Sequence, residues 1–250
     1  MAVLEKQKRG AEYMKEEIFR TYPYKTELHC HTLPVSGCSH IYAAEMVQLY
    51  KALGVDTIVL TNHYYRHSNP DPAQARSKEE VVTEYLQGFR ELKTCADAEG
   101  ITAILGMEIR FAENINDYLL YGIGEEDVAV LFDYLGGDLE RFCRSFKNEK
   151  HLLFQAHPFR DKMELADPKY LDGIEAFNLY PRANSRVALA RAYAQQQGMR
   201  IIGGSDCHVQ GHEGCILLRS RQRIETSEEL VKVLKSGDYV FEVFGSIILP

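Results

Sequence analysis

The six cysteines of this 250-residue chain, Cys30, Cys38, Cys95, Cys143, Cys207 and Cys215, form no Cys-x-x-Cys pair. That scatter is unlike a secreted disulfide framework. The first twenty residues lack an apolar signal core, and no apolar run reaches membrane length. A reduced, cytoplasmic setting and no membrane partner are therefore expected. Positive charge is also short, with 29 Lys and Arg against 36 Asp and Glu and a net charge of −7. A sequence-nonspecific nucleic-acid coat needs a basic surface, so stable duplex binding is not expected. A local basic pocket for a small or single-stranded phosphate substrate stays open. No internal repeat or low-complexity tract breaks the chain. Its 45% apolar and 26% charged residues suit one sizeable core.

What is present is an alternation of two periods. Lys6 to Phe19 reads as a charged helix within an N-terminal extension, 1–24. Thr26 to His31 reads as the first strand. Tyr42 to Leu53 carries a helical apolar face that stops at Gly54, and Val55 to Thr61 is a buried strand. Ser77-Lys78-Glu79-Glu80 fits a capping box, opening a helix that runs to Glu99 with Gly100 as terminator. Strands follow at Ile101 to Met107 and Tyr118 to Tyr121, then helical sequence from Asp127 to Lys147. His151 to Ala156 and Gly173 to Phe177 are further strands, followed by the helix Ala183 to Gln197 and the strand Met199 to Gly204. Thr226 to Glu229 opens the last helix, and Tyr239 to Phe244 is the last strand. About seven β-then-α units without a composition break point to one α/β domain, 1–250, built on a barrel-like parallel sheet.

Metal-binding residue types recur where these strands end: His29 and His31, His63, Glu108, His157, and Asp206 with His208. Residues two apart on an extended chain share a side, so His29-x-His31 and Asp206-x-His208 each aim two donors at one spot. A lone histidine after a strand is ordinarily a surface or capping residue. Five histidines and two carboxylates at one end of five strands are hard to obtain by scatter. Barrel enzymes build their sites at that rim. Cys30 and Cys207, between the paired donors, face the other way and read as small apolar fillers.

Taken together, His29-x-His31, Thr61-Asn62-His63, Gly106-Met107-Glu108, His157-Pro158-Phe159-Arg160 and Gly204-Ser205-Asp206-x-His208 resemble the PHP (polymerase and histidinol phosphatase) family over about residues 25–210. The resemblance implies a distorted (β/α)7 TIM-like barrel. It also implies roughly one to three divalent ions, zinc, manganese or iron, and hydrolysis of phosphate esters. Carried over by position, His29, His31, Glu108 and Asp206 would form a first metal site. Glu108 would bridge to a second site shared with His157, and His63 and His208 would hold a third. Histidine-rich ligation suits those metals better than calcium.

Three positions depart from the family pattern. Asn62 stands where the family usually has Asp and reads as a residue that orients ligands. Tyr118 stands where many members place His, and a phenol is a poor ligand near neutral pH. The loop Ser36-Gly37-Cys38-Ser39-His40 offers Cys38, or alternatively His40, to the third site, with a helix N-cap role for Ser39 an equal account of that loop.

The chemistry implied is in-line attack by metal-bound hydroxide on a phosphomonoester or phosphodiester, with a small phosphorylated metabolite, nucleotide or short oligonucleotide as substrate. Arg160 reads equally as a phosphate grip and as a surface ion pair, and Arg182 occupies a similar rim position. His212 is a candidate proton donor or a plain loop residue. Within the polar loop Tyr64 to Ser77, the residues Tyr64, Tyr65, Arg66 and His67 offer stacking and charge to a base or aromatic leaving group, although a solvated loop accounts for them as well. Two other classes compete. An amidohydrolase-type metal hydrolase also opens on His-x-His, but usually bridges its metals with a modified lysine. A degenerate barrel could hold metal for a non-catalytic role.

Overall fold

A computed structural model describes residues 2–66 and 76–250, with backbone alone for 2–11. Helix α1 (Ala2–Thr21) leads into strand β1 (Tyr24–Cys30). Helix α2 (Ala43–Ala52) ends at a left-handed Gly54 (φ +67°), and the chain continues as β2 (Thr57–Leu60) and β3 (His63–Tyr64). The capping box at the start of α3 (Lys78–Ala98) forms as expected. Ser77 Oγ accepts from the Glu80 amide at 3.2 Å, and Glu80 accepts from the Ser77 amide at 2.8 Å.

Strands β4 (Thr102–Leu105), β5 (Met107–Arg110) and β6 (Asp117–Tyr121) follow. The helical stretch expected to run unbroken to Lys147 is split into α4 (Glu125–Phe132) and α5 (Leu139–Ser145). Next come β7 (Leu152–Gln155), β8 (Gly173–Asn178), α6 (Val187–Gln197) and β9 (Arg200–Gly204). The chain finishes with β10 (Leu217–Ser220), α7 (Ser227–Ser236), β11 (Tyr239–Val243) and β12 (Ser246–Ile248). Thr226 and Glu229 form the second capping box, at 3.1 and 3.2 Å.

The strands form two six-stranded sheets, ordered β12-β11-β10-β1-β2-β4 and β3-β5-β6-β7-β8-β9. The expected closed, parallel barrel is thereby corrected: the described residues form no closed barrel. Strand β6 runs antiparallel to both β5 and β7, and β10 runs antiparallel to β1. No helix joins β5 to β6, and such a short loop returns the chain antiparallel. The second and third strand segments each break and change sheet, at Thr61-Asn62 and at Gly106. At Gly106 a Cβ would lie 2.9 Å from Val59 Cγ1 and 3.1 Å from Thr61 Cγ2, so any larger residue at the crossover would have to push both side chains aside.

One contact between the sheets sets up everything that follows. Cys30 and Cys207 form an isolated parallel bridge, in which the His31 amide donates to Cys207 O at 2.9 Å and the Cys207 amide to His29 O at 3.3 Å. It draws the exit of β1 against the exit of β9. Both cysteines are fully buried, as the filler reading expects. Apolar side chains pack behind them in two clusters, one around Met46, Tyr50, Leu92 and Phe142 and one around Leu28, Ile174, Ile202 and Phe241.

Candidate metal centre

Local backbone geometry aims the donors. His29 lies in β1 and His31 just past its end; Cys30 between them turns into the core, so the two imidazoles share one side. His63 and Glu108 are register partners on parallel β3 and β5. His157 and Asp206 leave their strands in left-handed conformations, φ +31° and +51°. Such backbone costs roughly 1 kcal/mol or more per residue and concentrates at sites where it aims a side chain.

All seven expected residues meet at one place. Glu108, 1% exposed, sits among four imidazoles: Oε1 lies 3.0 Å from His157 Nε2 and 3.5 Å from His29 Nε2, while Oε2 lies 2.8 Å from His63 Nδ1 and 3.4 Å from His31 Nε2. Asp206 Oδ1 lies 3.4 Å from His29 Nε2, 3.3 Å from His31 Nε2 and 3.4 Å from His208 Nδ1. The His31 ring stacks on His208 at 4.2 Å between centroids and stands 4.4 Å from His63. Three donor groups emerge: His29-His31-Asp206, His31-His63-His208 and Glu108-Asp117-His157, each with its atoms within 4.8 Å of one another.

The donor atoms fit cations better than they fit one another. The Nε2 atoms of His29 and His31 stand 3.0 Å apart, and both point at Asp206. Ligands placed tetrahedrally at zinc–nitrogen distances are separated by roughly 3.3 Å. Buried Glu108 Oε2 and His63 Nδ1 make no hydrogen bond of acceptable geometry although they nearly touch. Orphaned buried polar atoms of this kind are costly unless a cation completes them.

The electrostatics divide the cluster. Burial opposes charge throughout. Even so, the His29 and His63 imidazoles hold the Glu108 carboxyl well below the usual range, and His29, His31 and Arg160 do the same for Asp206. His29 is raised well above an ordinary imidazole despite its burial, by Glu175, Asp206 and Glu108; His63 is raised by Glu108 and Cys38. His31, at the centre, is pushed well down by burial and by His63 and His208, which keeps it in the neutral form that binds metal.

Several residues were missed or misplaced by reading the chain. Asp117, not Tyr118, faces the cluster: its Oδ2 is 3.9 Å from His157 Nε2, and Arg110 grips it through two bonds of 2.8 Å. Tyr118 is buried in the apolar core. Alternation along β6 separates the two, and the antiparallel turn into β6 decides which one looks inward. Glu175 was also missed. Fully buried, it accepts from His29 Nδ1 at 2.8 Å, the His157 amide at 3.0 Å and Asn178 Nδ2 at 2.9 Å. Asn62 behaves as expected of an orienting residue. Its Oδ1 accepts from the Thr32 amide at 2.7 Å and from Ser36 Oγ at 2.8 Å, and Ser36 Oγ also reaches His31 Nδ1 at 3.3 Å.

Cys38 stands at the rim, where hydrogen bonding to His208 and His63 overcomes partial burial and brings its thiol down to about 6. The His40 side chain is exposed, and its amide donates to His208 O at 2.7 Å. Arg160 turns inward: Nη2 donates to Asp206 Oδ2 at 2.5 Å and to Asn178 Oδ1 at 2.6 Å, with its guanidinium 5.2 Å from the Tyr180 ring. Arg182 is exposed. His212 stands edge-on to Tyr180 at 5.4 Å, and burial and the Arg182 charge lower its basicity. Tyr64 corrects an expectation: it is buried, and its hydroxyl donates to Val128 O at 2.7 Å, so it is no surface stacking residue. His67, and the loop from there to residue 75, lie outside the described residues.

Residues 27–245 match the PHP domain family, which covers most of the chain; the chain belongs to that family. A two-domain protein from Bacteroides vulgatus, described as containing a predicted PHP-like metal-dependent phosphoesterase, aligns at a TM-score of 0.59 and 17% identity over 88% of this chain. This chain spans 64% of that protein's length. PsfC from Pseudomonas syringae aligns at a TM-score of 0.60 and 18% identity, over 83% of this chain and 87% of its own. Likeness at these identities is likeness of fold, and it relates the two-sheet arrangement to the TIM-like folds of PHP proteins. No curated protein matches the chain.

Proposed function

We propose that this protein is a metal-dependent phosphoesterase acting on phosphomonoesters or phosphodiesters, with residues 1–250 working as one domain. The observation that carries this reading is Glu108, whose two oxygens face different imidazole pairs within one buried cluster. A bridging carboxylate of this kind suits the short metal spacing used in phosphoryl-transfer hydrolysis. His29, His31, Glu108 and Asp206 would hold a first ion, Glu108, His157 and Asp117 a second, and His63 and His208 a third, with Cys38 the nearer addition to that third set. The donor chemistry favours zinc, manganese or iron. When bound, such ions activate water and draw charge from the phosphoryl oxygens.

The chain's own groups supply the rest. Glu175 fixes the Nδ1–H tautomer of His29, so that Nε2 faces the cluster. Arg160, steadied by Asn178 and the Tyr180 face, places a fixed positive charge beside Asp206, where a phosphoryl oxygen can be gripped. In the reaction a water oxygen bonds to phosphorus, the ester P–O bond breaks, and the departing alkoxide takes a proton. A glutamate as bridge, where amidohydrolase-type enzymes use a modified lysine, favours phosphate esters over amides. The substrate in this reading is a small phosphorylated metabolite, nucleotide or short oligonucleotide, and no helix among the described residues is long and apolar enough to cross a membrane.

The test is direct. Protein purified without added metal is analysed for zinc, manganese and iron, then assayed on 4-nitrophenyl phosphate and bis(4-nitrophenyl) phosphate with and without chelator. The expected result is at least one tightly held transition metal and turnover that chelation abolishes. Metal-replete protein that hydrolyses neither ester would overturn the reading.

A further inference from the structure

A cavity of about 370 Å³ opens beside the cluster, lined by Tyr65, Arg66, Arg110, Asn114 and an apolar wall that includes Phe111 and Leu135. Strand geometry ties it to the chemistry. Tyr65 and Arg110 each follow a cluster residue by two positions, His63 on β3 and Glu108 on β5. The Tyr65 ring stands edge-on to His63 at 5.4 Å and lies 5.1 Å from the Arg110 guanidinium. Arg110 in turn holds Asp117, which faces His157. Tyr65 and Arg110 therefore line the side of the cavity that faces the donor cluster.

The lining combines two arginines with aromatic faces and contains no carboxylate, on a chain whose net charge is −7. The arginines are not equivalent. Arg110 is already paired by its two bonds to Asp117. Arg66 has no carboxylate partner among the described residues, and its guanidinium lies 5.1 Å from the Phe132 ring. Arg66 also lines a second cavity of about 430 Å³, where the other cations are paired, Arg76 with Glu84 and Lys78 with Asp133, each at 2.7 Å. A guanidinium that no carboxylate among the described residues pairs, set beside aromatic rings, fits a flat group that carries an anion.

We propose that this cavity is the leaving-group subsite, and that it takes an alcohol portion made of a planar ring bearing a second anionic group, the ring against Tyr65 and the anion on Arg66. The proposal rests on the phosphoesterase reading and narrows its substrate class to phosphate esters of anionic ring alcohols.

A matched pair of esters isolates the charge: 4-carboxyphenyl phosphate and 4-carbamoylphenyl phosphate share ring and size. Wild-type protein should favour the carboxylate in kcat/KM by about 10- to 100-fold, the scale of one charge-assisted bond. In Arg66→Met that preference should fall toward one, and in Arg66→Lys it should partly return. A wild-type ratio near one, or a ratio that Arg66→Met leaves unchanged, overturns the proposal. Binding of 4-carboxybenzylphosphonate against benzylphosphonate, measured by calorimetry, repeats the comparison without turnover. If metal-replete wild type hydrolyses neither 4-nitrophenyl phosphate nor its diester, the phosphoesterase reading falls; turnover of those without turnover of the carboxyphenyl ester, or equal affinity for the two phosphonates, overturns the subsite alone.

Discussion

Two buried glutamates, one in each sheet of this protein, do opposite work. Glu27, fully buried on β1, is satisfied by ordinary donors: its Oε1 accepts from the amides of Leu28, His29 and Ser205 at 3.1, 2.9 and 3.1 Å, and its Oε2 accepts from the Tyr50 hydroxyl at 2.7 Å. Glu108, buried as deeply, has no backbone donor on its carboxylate in the described residues and faces imidazole nitrogens instead. Burial, the largest influence, drives the Glu27 carboxyl upward, whereas the imidazoles hold Glu108 well below the usual range. Burial alone therefore says little about a carboxylate's purpose. A complete set of N–H and O–H donors marks a strut that ties β1 to the loop after β9. A set of facing lone pairs marks a place for cations.

That contrast can be broken most sharply at Glu108 itself. Glu108→Gln should lower kcat by about 10³-fold or more while thermal unfolding shifts little, because the residue serves the cations more than the fold. Steady-state kinetics, metal analysis and calorimetry on one preparation would check this; a variant that keeps its activity would make the bridge dispensable. Glu27 should show the reverse. Glu27→Ala strands three amides and a hydroxyl, and should cost about 3 kcal/mol or more in urea unfolding. Glu27→Gln should cost far less, since its amide group can still donate to Tyr50. Unchanged metal content in folded Glu27→Gln would complete the separation.

Glu175 stands between the two cases, accepting both an amide and an imidazole N–H. Glu175→Gln should weaken metal affinity by about 10- to 100-fold, with activity recovered at high metal concentration; recovery would distinguish positioning from collapse of the site. The smallest effect is expected at the rim. With the Cys38 thiol at about 6, its thiolate is populated above that pH and lost below it. Alkylation of metal-free protein by iodoacetamide should therefore be half-maximal near pH 6 at Cys38. Burial instead raises Cys143 and Cys215 to about 11 and should leave them inert at neutral pH. Peptide mapping across a pH series would read all three.

Much of this centre was legible before any coordinates. The seven candidate donors follow from residue type and strand exits alone, and the caps at Ser77 and Thr226 follow from spacing, because both depend on neighbours within four residues. Asp117 and Glu175 were not legible. Asp117 turns inward because β6 returns antiparallel on β5, which a run reading only as a short strand does not announce. Glu175 reads as one charge in a buried strand until His29 is seen beside it. Tyr64 misled for a related reason: it begins a polar stretch, yet β3 carries it into the core.

The order of residues along the chain was sufficient to set which donors exist and which pairs share a side, because a two-residue alternation on an extended backbone is a local property. Which pairs meet was settled by long-range packing. The Cys30–Cys207 bridge brings the ends of β1 and β9 together, the sheet change at Gly106 carries Glu108 to His157, and the reversal at β6 supplies Asp117. Those contacts join residues far apart in sequence, and their geometry depends on the whole of both sheets.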